Sequence, residues 1–371
     1  MRRKIIQHIL SDLDKKMVFI TGPRQVGKTW LAKEIGKRFV NTVYLNYDNI
    51  DDRLIIKKMQ WPKKTELLIL DELHKMAGWK NYLKGVYDTK ESDLRILVTG
   101  SARMDTFRKA GDSLLGRYFV HHLLPFSLSE LNGTEYQGEI DRLIKRGGFP
   151  ESFLAVNDSD ADRWRALYVD GVIRIDVLDF ENIHNFQAMK MVFELLRRKV
   201  GSPISVNSIA EDVQLSPLTV KRYLGIFEAL YITFRISPFS KNIARSLLKN
   251  SKIYFFDNGL VVGDKGAEFE NFVAVSLLKH VYERNDKMGK NLDLKYLRTK
   301  DGREADFALV KDGTIDLLLE AKYSESEIDT NLKYFTDKLS LNGLQVVKEL
   351  RQEKTAGRIN VVSAEKYLRG L

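Results

Sequence analysis

Residues Gly22-Pro23-Arg24-Gln25-Val26-Gly27-Lys28-Thr29 spell a complete G-x-x-x-x-G-K-[ST] phosphate-binding loop, and no other stretch restricts the fold as tightly. The motif works only where a strand delivers the loop and a helix leaves it. Backbone N–H groups must converge on an anion at a helix N-terminus. The flanking sequence meets that demand: Lys16–Thr21 reads as a strand and Thr29–Phe39 as a helix. Gly22, Pro23, Arg24, Gln25, Val26, Gly27, Lys28 and Thr29 are therefore expected to line a nucleotide, with Arg24 the member best suited to remain in solvent. Lys28 is assigned to the β- and γ-phosphates of ATP, and the Thr29 hydroxyl to Mg²⁺.

The chemistry continues downstream. Residues 1–150 alternate strands and helices, the order of a parallel sheet wrapped by helices. Glu66–Asp71 is an apolar strand ending in Asp71-Glu72, a Walker B pattern. Asp71 is expected to hold Mg²⁺ through water, and Glu72 to polarise the water that attacks the γ-phosphate. A later strand, Leu94–Thr99, runs into Gly100-Ser101, so Thr99 and Ser101 are candidates to sense the γ-phosphate or simply to make a polar turn. Arg117 is a candidate to neutralise charge on that phosphate, in cis or from a neighbouring copy in a homo-oligomer. A surface salt bridge is its other reading.

Composition bounds the rest. At 371 residues the chain exceeds one ordinary domain, and 44% hydrophobic with 30% charged residues fits packed cores in a soluble protein. The formal charge of +10 is compatible with nucleic acid without requiring it. The absence of cysteine excludes disulfides and cysteine-held metal. No apolar run approaches the roughly 18 residues of a membrane span. The basic start Met1–Ile6 lacks a signal-peptide core, so a cytoplasmic location with no membrane contact is expected. The six histidines are His8, His74, His121, His122, His184 and His280, and their spacing gives no histidine metal site.

The combination Gly22–Thr29, Asp71-Glu72, Thr99-Gly100-Ser101, Leu115-Gly116-Arg117 and Leu124–Glu130 resembles a prokaryotic (archaeal and bacterial) family of AAA-type P-loop ATPases. That family carries a C-terminal domain of unknown function, and Gly147-Gly148-Phe149-Pro150 resembles the point where its ATPase core ends. The likeness spans essentially the whole chain. It implies an ATPase with ATP and Mg²⁺, and a C-terminal domain that looks like a nuclease.

The expected organisation is α/β throughout: a parallel-sheet ATPase domain at 1–150, a helical and winged-helix middle at 151–260, and a nuclease-like α/β domain at 261–371. Asp160–Val200 has amphipathic helical spacing. Ser205–Val213 reads as a capped helix, and Ser216-Pro217 as the start of another running to Leu230. Tyr231–Ile236 and Lys252–Asp257 read as strands, which completes the winged-helix order. Between Lys199 and Phe256 stand eight Lys/Arg and three Asp/Glu. The second helix is thus a candidate for a major groove, with Lys241, Arg245 and Lys249 on phosphates. Winged helices also bind proteins, and a protein partner is the competing expectation.

In the last segment, Asp306 on one strand followed by Glu320-Ala321-Lys322 on the next resembles the PD-(D/E)xK nuclease core, with Glu270 as the acid on its first helix. Strand alternation puts Glu320 and Lys322 on one side. Glu270, Asp306 and Glu320 are then the expected metal ligands, the Ala321 carbonyl an additional one, and Lys322 the residue that assists the attacking water. Ala305 stands where the named motif has proline, and a plain Asp306–Lys322 ion pair is the alternative.

Overall fold

The computed structural model describes residues 3–100, 114–173, 185–240, 250–325 and 327–371. It divides into two compact units, 1–124 and 125–371.

The first unit is built on five parallel strands: β1 (Met17–Thr21), β2 (Thr42–Asn46), β3 (Leu67–Asp71), β4 (Arg95–Thr99) and β5 (Tyr118–His122). Their order is β2-β3-β4-β1-β5, so β4 lies between the loop-bearing strand β1 and the acid-bearing strand β3. All of β1 and β3 is buried, as expected for inner strands of a parallel sheet covered on both faces. Alternation sorts their side chains into two cores. Phe19, Leu68, Leu70, Ile96 and Val98 join one. Val18, Ile20, Leu67, Ile69 and Leu97 join the other, against Leu31 and Ile35 of the helix Lys28–Gly36.

The second unit carries a hairpin and a six-stranded sheet. The hairpin pairs β6 (Thr233–Ile236) with β7 (Lys252–Phe255) in antiparallel register. The sheet strands are β8 (Leu292–Arg298), β9 (Glu304–Lys311), β10 (Thr314–Ser324), β11 (Gly343–Glu349), β12 (Lys354–Ala356) and β13 (Ile359–Ser363). Their order is β12-β13-β11-β10-β9-β8. β8, β9 and β10 are antiparallel, and β11 and β13 continue in parallel from β10. A long helix, Lys265–Met288, precedes the sheet, capped by Asp264 at its start and ended by Gly289 in the left-handed region. Upstream lie the helices Val206–Asp212, capped by Ser205, and Pro217–Ala229, capped by Ser216 with proline in its first turn.

The expected edges at 150 and 260 divide the chain by pattern, whereas packing groups it differently. Residues 125–150 belong with the second unit: Lys279 Nζ donates to the Pro125 carbonyl at 2.8 Å and Asn258 Nδ2 to the Ile144 carbonyl at 2.6 Å. Gly147 explains part of this close approach, since a Cβ there would meet Asp257 Oδ1 at 1.9 Å. The hairpin also joins the sheet directly, with Phe239 N donating to Tyr296 O of β8 at 2.7 Å.

Candidate functional site

The phosphate-binding loop leaves the C-terminal end of β1. Gly22 has φ 139° and Gly27 φ 96°. Gly22 is required twice over, because a Cβ would also fall 2.2 Å from the Leu123 carbonyl oxygen. Gly22→Ala is expected to abolish nucleotide binding and to lower the thermal midpoint of the first unit, measured by calorimetry with and without ATP. Val26 anchors the loop in the core, and Lys28 is the first residue of the following helix. The Lys28 ammonium donates to the carbonyls of Gly22 at 2.9 Å and Pro23 at 2.5 Å.

Asp71, at the end of β3, is almost wholly buried and fully engaged. Its Oδ2 accepts from Thr29 Oγ1 at 2.8 Å and from Tyr44 OH at 2.6 Å. Its Oδ1 accepts from the Thr99 hydroxyl and from the Glu72 amide. Burial, reinforced by Asp71, pushes the Tyr44 hydroxyl above its ordinary pKa, so it stays a donor. Glu72 follows with φ 56°, a left-handed backbone rare for a non-glycine residue and enriched at functional sites. Its carboxylate lies 3.6 Å from Lys75 Nζ and 3.7 Å from His74 Nε2. Thr29 and Asp71 are hard oxygen donors side by side, a set that suits Mg²⁺.

A second constellation lies in the other unit, and its centre is a residue absent from the sequence-derived site. Lys252, on β7, is 1% exposed. Its Nζ lies 2.8 Å from Glu304, 3.2 Å from Glu270 and 3.2 Å from Asp306. Tyr254 OH donates to the same Glu270 oxygen at 2.7 Å. Next door, Glu320 Oε2 accepts from the Asp306 amide at 3.3 Å, while Asp306 Oδ2 accepts from the Ala321 amide at 3.1 Å. Lys322 spans Glu320 at 2.9 Å and Asp329 at 3.0 Å.

Comparison with known proteins places the first unit. Residues 14–132 match a family described as an AAA domain. This part of the chain is an AAA-type P-loop ATPase domain. Two domains of unknown function follow, DUF8612 at 137–267 and DUF4143 at 265–367. Relatives include uncharacterized proteins of Mycobacterium tuberculosis (26% identical, 70% of this chain and 62% of the relative), Methanocaldococcus jannaschii (25%, 79% and 74%) and Haemophilus influenzae (23%, 93% and 96%). The chain thus spans 62% of the mycobacterial relative's length. Among solved structures, a Walker-type ATPase of Pyrococcus abyssi is 12% identical, with a TM-score of 0.45 over 70% of this chain and 94% of that one. RuvB of Thermotoga maritima is 16% identical, with a TM-score of 0.34 over 63% and 89%.

Within the AAA domain the structure gathers Lys28, Thr29, Asp71, Glu72 and Thr99 at one edge of the sheet. Ser101 lies outside the described residues. For Arg117 only the in-cis reading is corrected. The residue precedes β5, its carbonyl accepts from Met17 N at the start of β1, and β1 runs from there to the loop at its other end. About 13 Å of strand separates Arg117 from the nucleotide edge of its own chain. Its guanidinium is held by Asp88, with Nε at 2.8 Å and Nη2 at 3.2 Å.

The expected metal site is corrected too. Glu270 and Asp306 do meet, but around an ammonium, and Glu320 turns to Lys322 and the Asp306 amide. The Lys252 ammonium already stands between Glu270 and Asp306, and that of Lys322 faces Glu320, so the three do not converge on one metal position in this arrangement. Among the described residues no group of three or more acids or histidines is disposed to hold one. Lys241, Arg245 and Lys249 lie outside the described residues. No described helix is long and apolar enough to cross a membrane.

Burial, then the nearby Asp306, pushes the Glu270 carboxyl from 4.5 up to about 7 despite the Lys252 and Tyr254 contacts. Being raised in the fold, this group contributes stability that is whole below pH 4.5 and lost as pH rises through about 7. The loss expected on its account is about 3 kcal/mol. Urea unfolding of the second unit followed across that range should show the decline, and Glu270→Gln should flatten it.

Proposed function

We propose that the chain is a Mg²⁺-dependent ATPase whose nucleotide state governs a DNA-facing second unit. The observation that supports this most is the convergence on Asp71 of Thr29, Thr99 and the Glu72 amide, beside Lys28. Lys28 leaves its two carbonyl acceptors for the β- and γ-phosphates. Thr29 and Asp71 would hold Mg²⁺, which screens the phosphate charge. Glu72 orients and polarises the attacking water, and Thr99 registers the γ-phosphate through its bond to Asp71. The test is Mg²⁺-dependent phosphate release by the purified chain, lost in Glu72→Gln. DNA affinity that falls steeply with salt supports the DNA-facing half of the reading.

One observation favours a second reading for that half: a nucleotide-gated protein-binding switch whose nuclease-like domain does not cleave. Lys252 sits where catalysis at Glu270 and Asp306 would need a metal. Among the described residues of the middle segment, Lys199 is paired with Asp212 and Arg235 with Glu228. Indifference to DNA, together with nucleotide-dependent capture of a protein, separates this reading from the first.

A further inference from the structure

The carboxylates around Lys252 come from two elements: Glu270 from the long helix, Glu304 and Asp306 from β9. The ammonium comes from the hairpin, a third. A buried ammonium is tolerated only with charged or strongly accepting partners on every side. Lys252 has them: three carboxylate oxygens from three residues at 2.8–3.2 Å, with the Tyr296 ring 5.6 Å away. Those are hydrogen-bond lengths, well beyond the roughly 2.1 Å of a Mg²⁺–oxygen bond. Gly201 makes room for this arrangement, since a Cβ there would lie 2.8 Å from both Glu270 oxygens. The backbone fixes the lysine as well, through the bridge of Lys252 to Pro203 and of Pro238 to Tyr296.

We infer that Lys252 is the resident cation of this cluster: the hairpin supplies to the C-terminal sheet the positive charge that a divalent metal would otherwise bring, and so keeps such a metal out. A divalent ion among the same oxygens would stand a few ångströms from the ammonium in a water-poor setting, where like-charge repulsion is strong. Taking the ammonium away leaves the three carboxylates facing one position.

The inference does not depend on ATP hydrolysis, and its test uses the full chain without nucleotide. Mn²⁺ is titrated to millimolar concentration and bound ion read by electron paramagnetic resonance. Wild type is expected to show no Mn²⁺ site that Asp306→Asn removes. Lys252→Ala is expected to gain one bound Mn²⁺ per chain, lost again in Lys252→Ala/Asp306→Asn. An Asp306-dependent site in wild type overturns the inference. So does a folded Lys252→Ala, checked by circular dichroism, that gains no site. Should Lys252→Ala not fold, the wild-type and Asp306→Asn titrations decide alone.

Discussion

Glu72→Gln is expected to leave ATP binding intact while hydrolysis falls about 10²- to 10⁴-fold, the usual contribution of a positioned base. Lys28→Ala is expected to lose ATP binding itself, and hydrolysis with it. The contrast follows from where the two groups stand. Lys28 already faces the loop interior, hydrogen-bonded to the Gly22 and Pro23 carbonyls, so its charge acts on bound phosphate whether or not chemistry occurs. Glu72 is held to one side by Lys75 and His74. In the proposed mechanism its role begins when a water must be oriented. Gln keeps the shape and the left-handed backbone demand of position 72, so the substitution removes basicity with little else. Fluorescent-nucleotide binding and steady-state phosphate release, run on the same preparations, check both halves. A Glu72→Gln protein that hydrolyses ATP at the wild-type rate would remove Glu72 from the mechanism.

The largest stability effect should come from the pair Lys279–Glu130. Both side chains are nearly inaccessible, 8% and 4% exposed. Lys279 also donates to the Pro125 carbonyl, and Glu130 closes a capping box with Ser127. Lys279→Met leaves a carboxylate buried without its cation, a change that typically costs about 3–5 kcal/mol. The double variant Lys279→Met/Glu130→Gln should recover part of that loss, because it removes the stranded charge as well. Urea unfolding of the four proteins in the cycle gives the coupling directly. Equal stability of Lys279→Met and wild type would show that the pair is not desolvated in solution.

These two sites show what the sequence could and could not convey. The nucleotide site is local in sequence: one loop, one strand end and one neighbouring strand, each with its own motif, and strand order does the rest. For Arg117 the salt-bridge alternative is the one the structure shows, with Asp88, because a motif says which residue type is present and not which end of a strand carries it. β5 itself, Tyr118–His122, has no polar–apolar alternation and holds two buried histidines, so it reads poorly as a strand. The Leu124–Glu130 stretch was legible as a family resemblance, yet its described role is packing: it caps a turn and seats Lys279. The acidic cluster was half legible. Alternation does put Glu320 and Lys322 within 2.9 Å of each other, and Asp306 does neighbour Glu320. Lys252 stands among the eight basic residues counted in the middle segment, and a charge count does not say which of them is buried. Only the bridge between hairpin and sheet reveals that this one is interior.

The self-bonded Lys28 carries a consequence for recognition. Its ammonium reaches back across its own loop to the Gly22 and Pro23 carbonyls. A charged phosphate oxygen is a stronger acceptor for an ammonium than either neutral carbonyl. Preference for a polyanion over a neutral ligand is thus built into an exchange of acceptors at a single side chain.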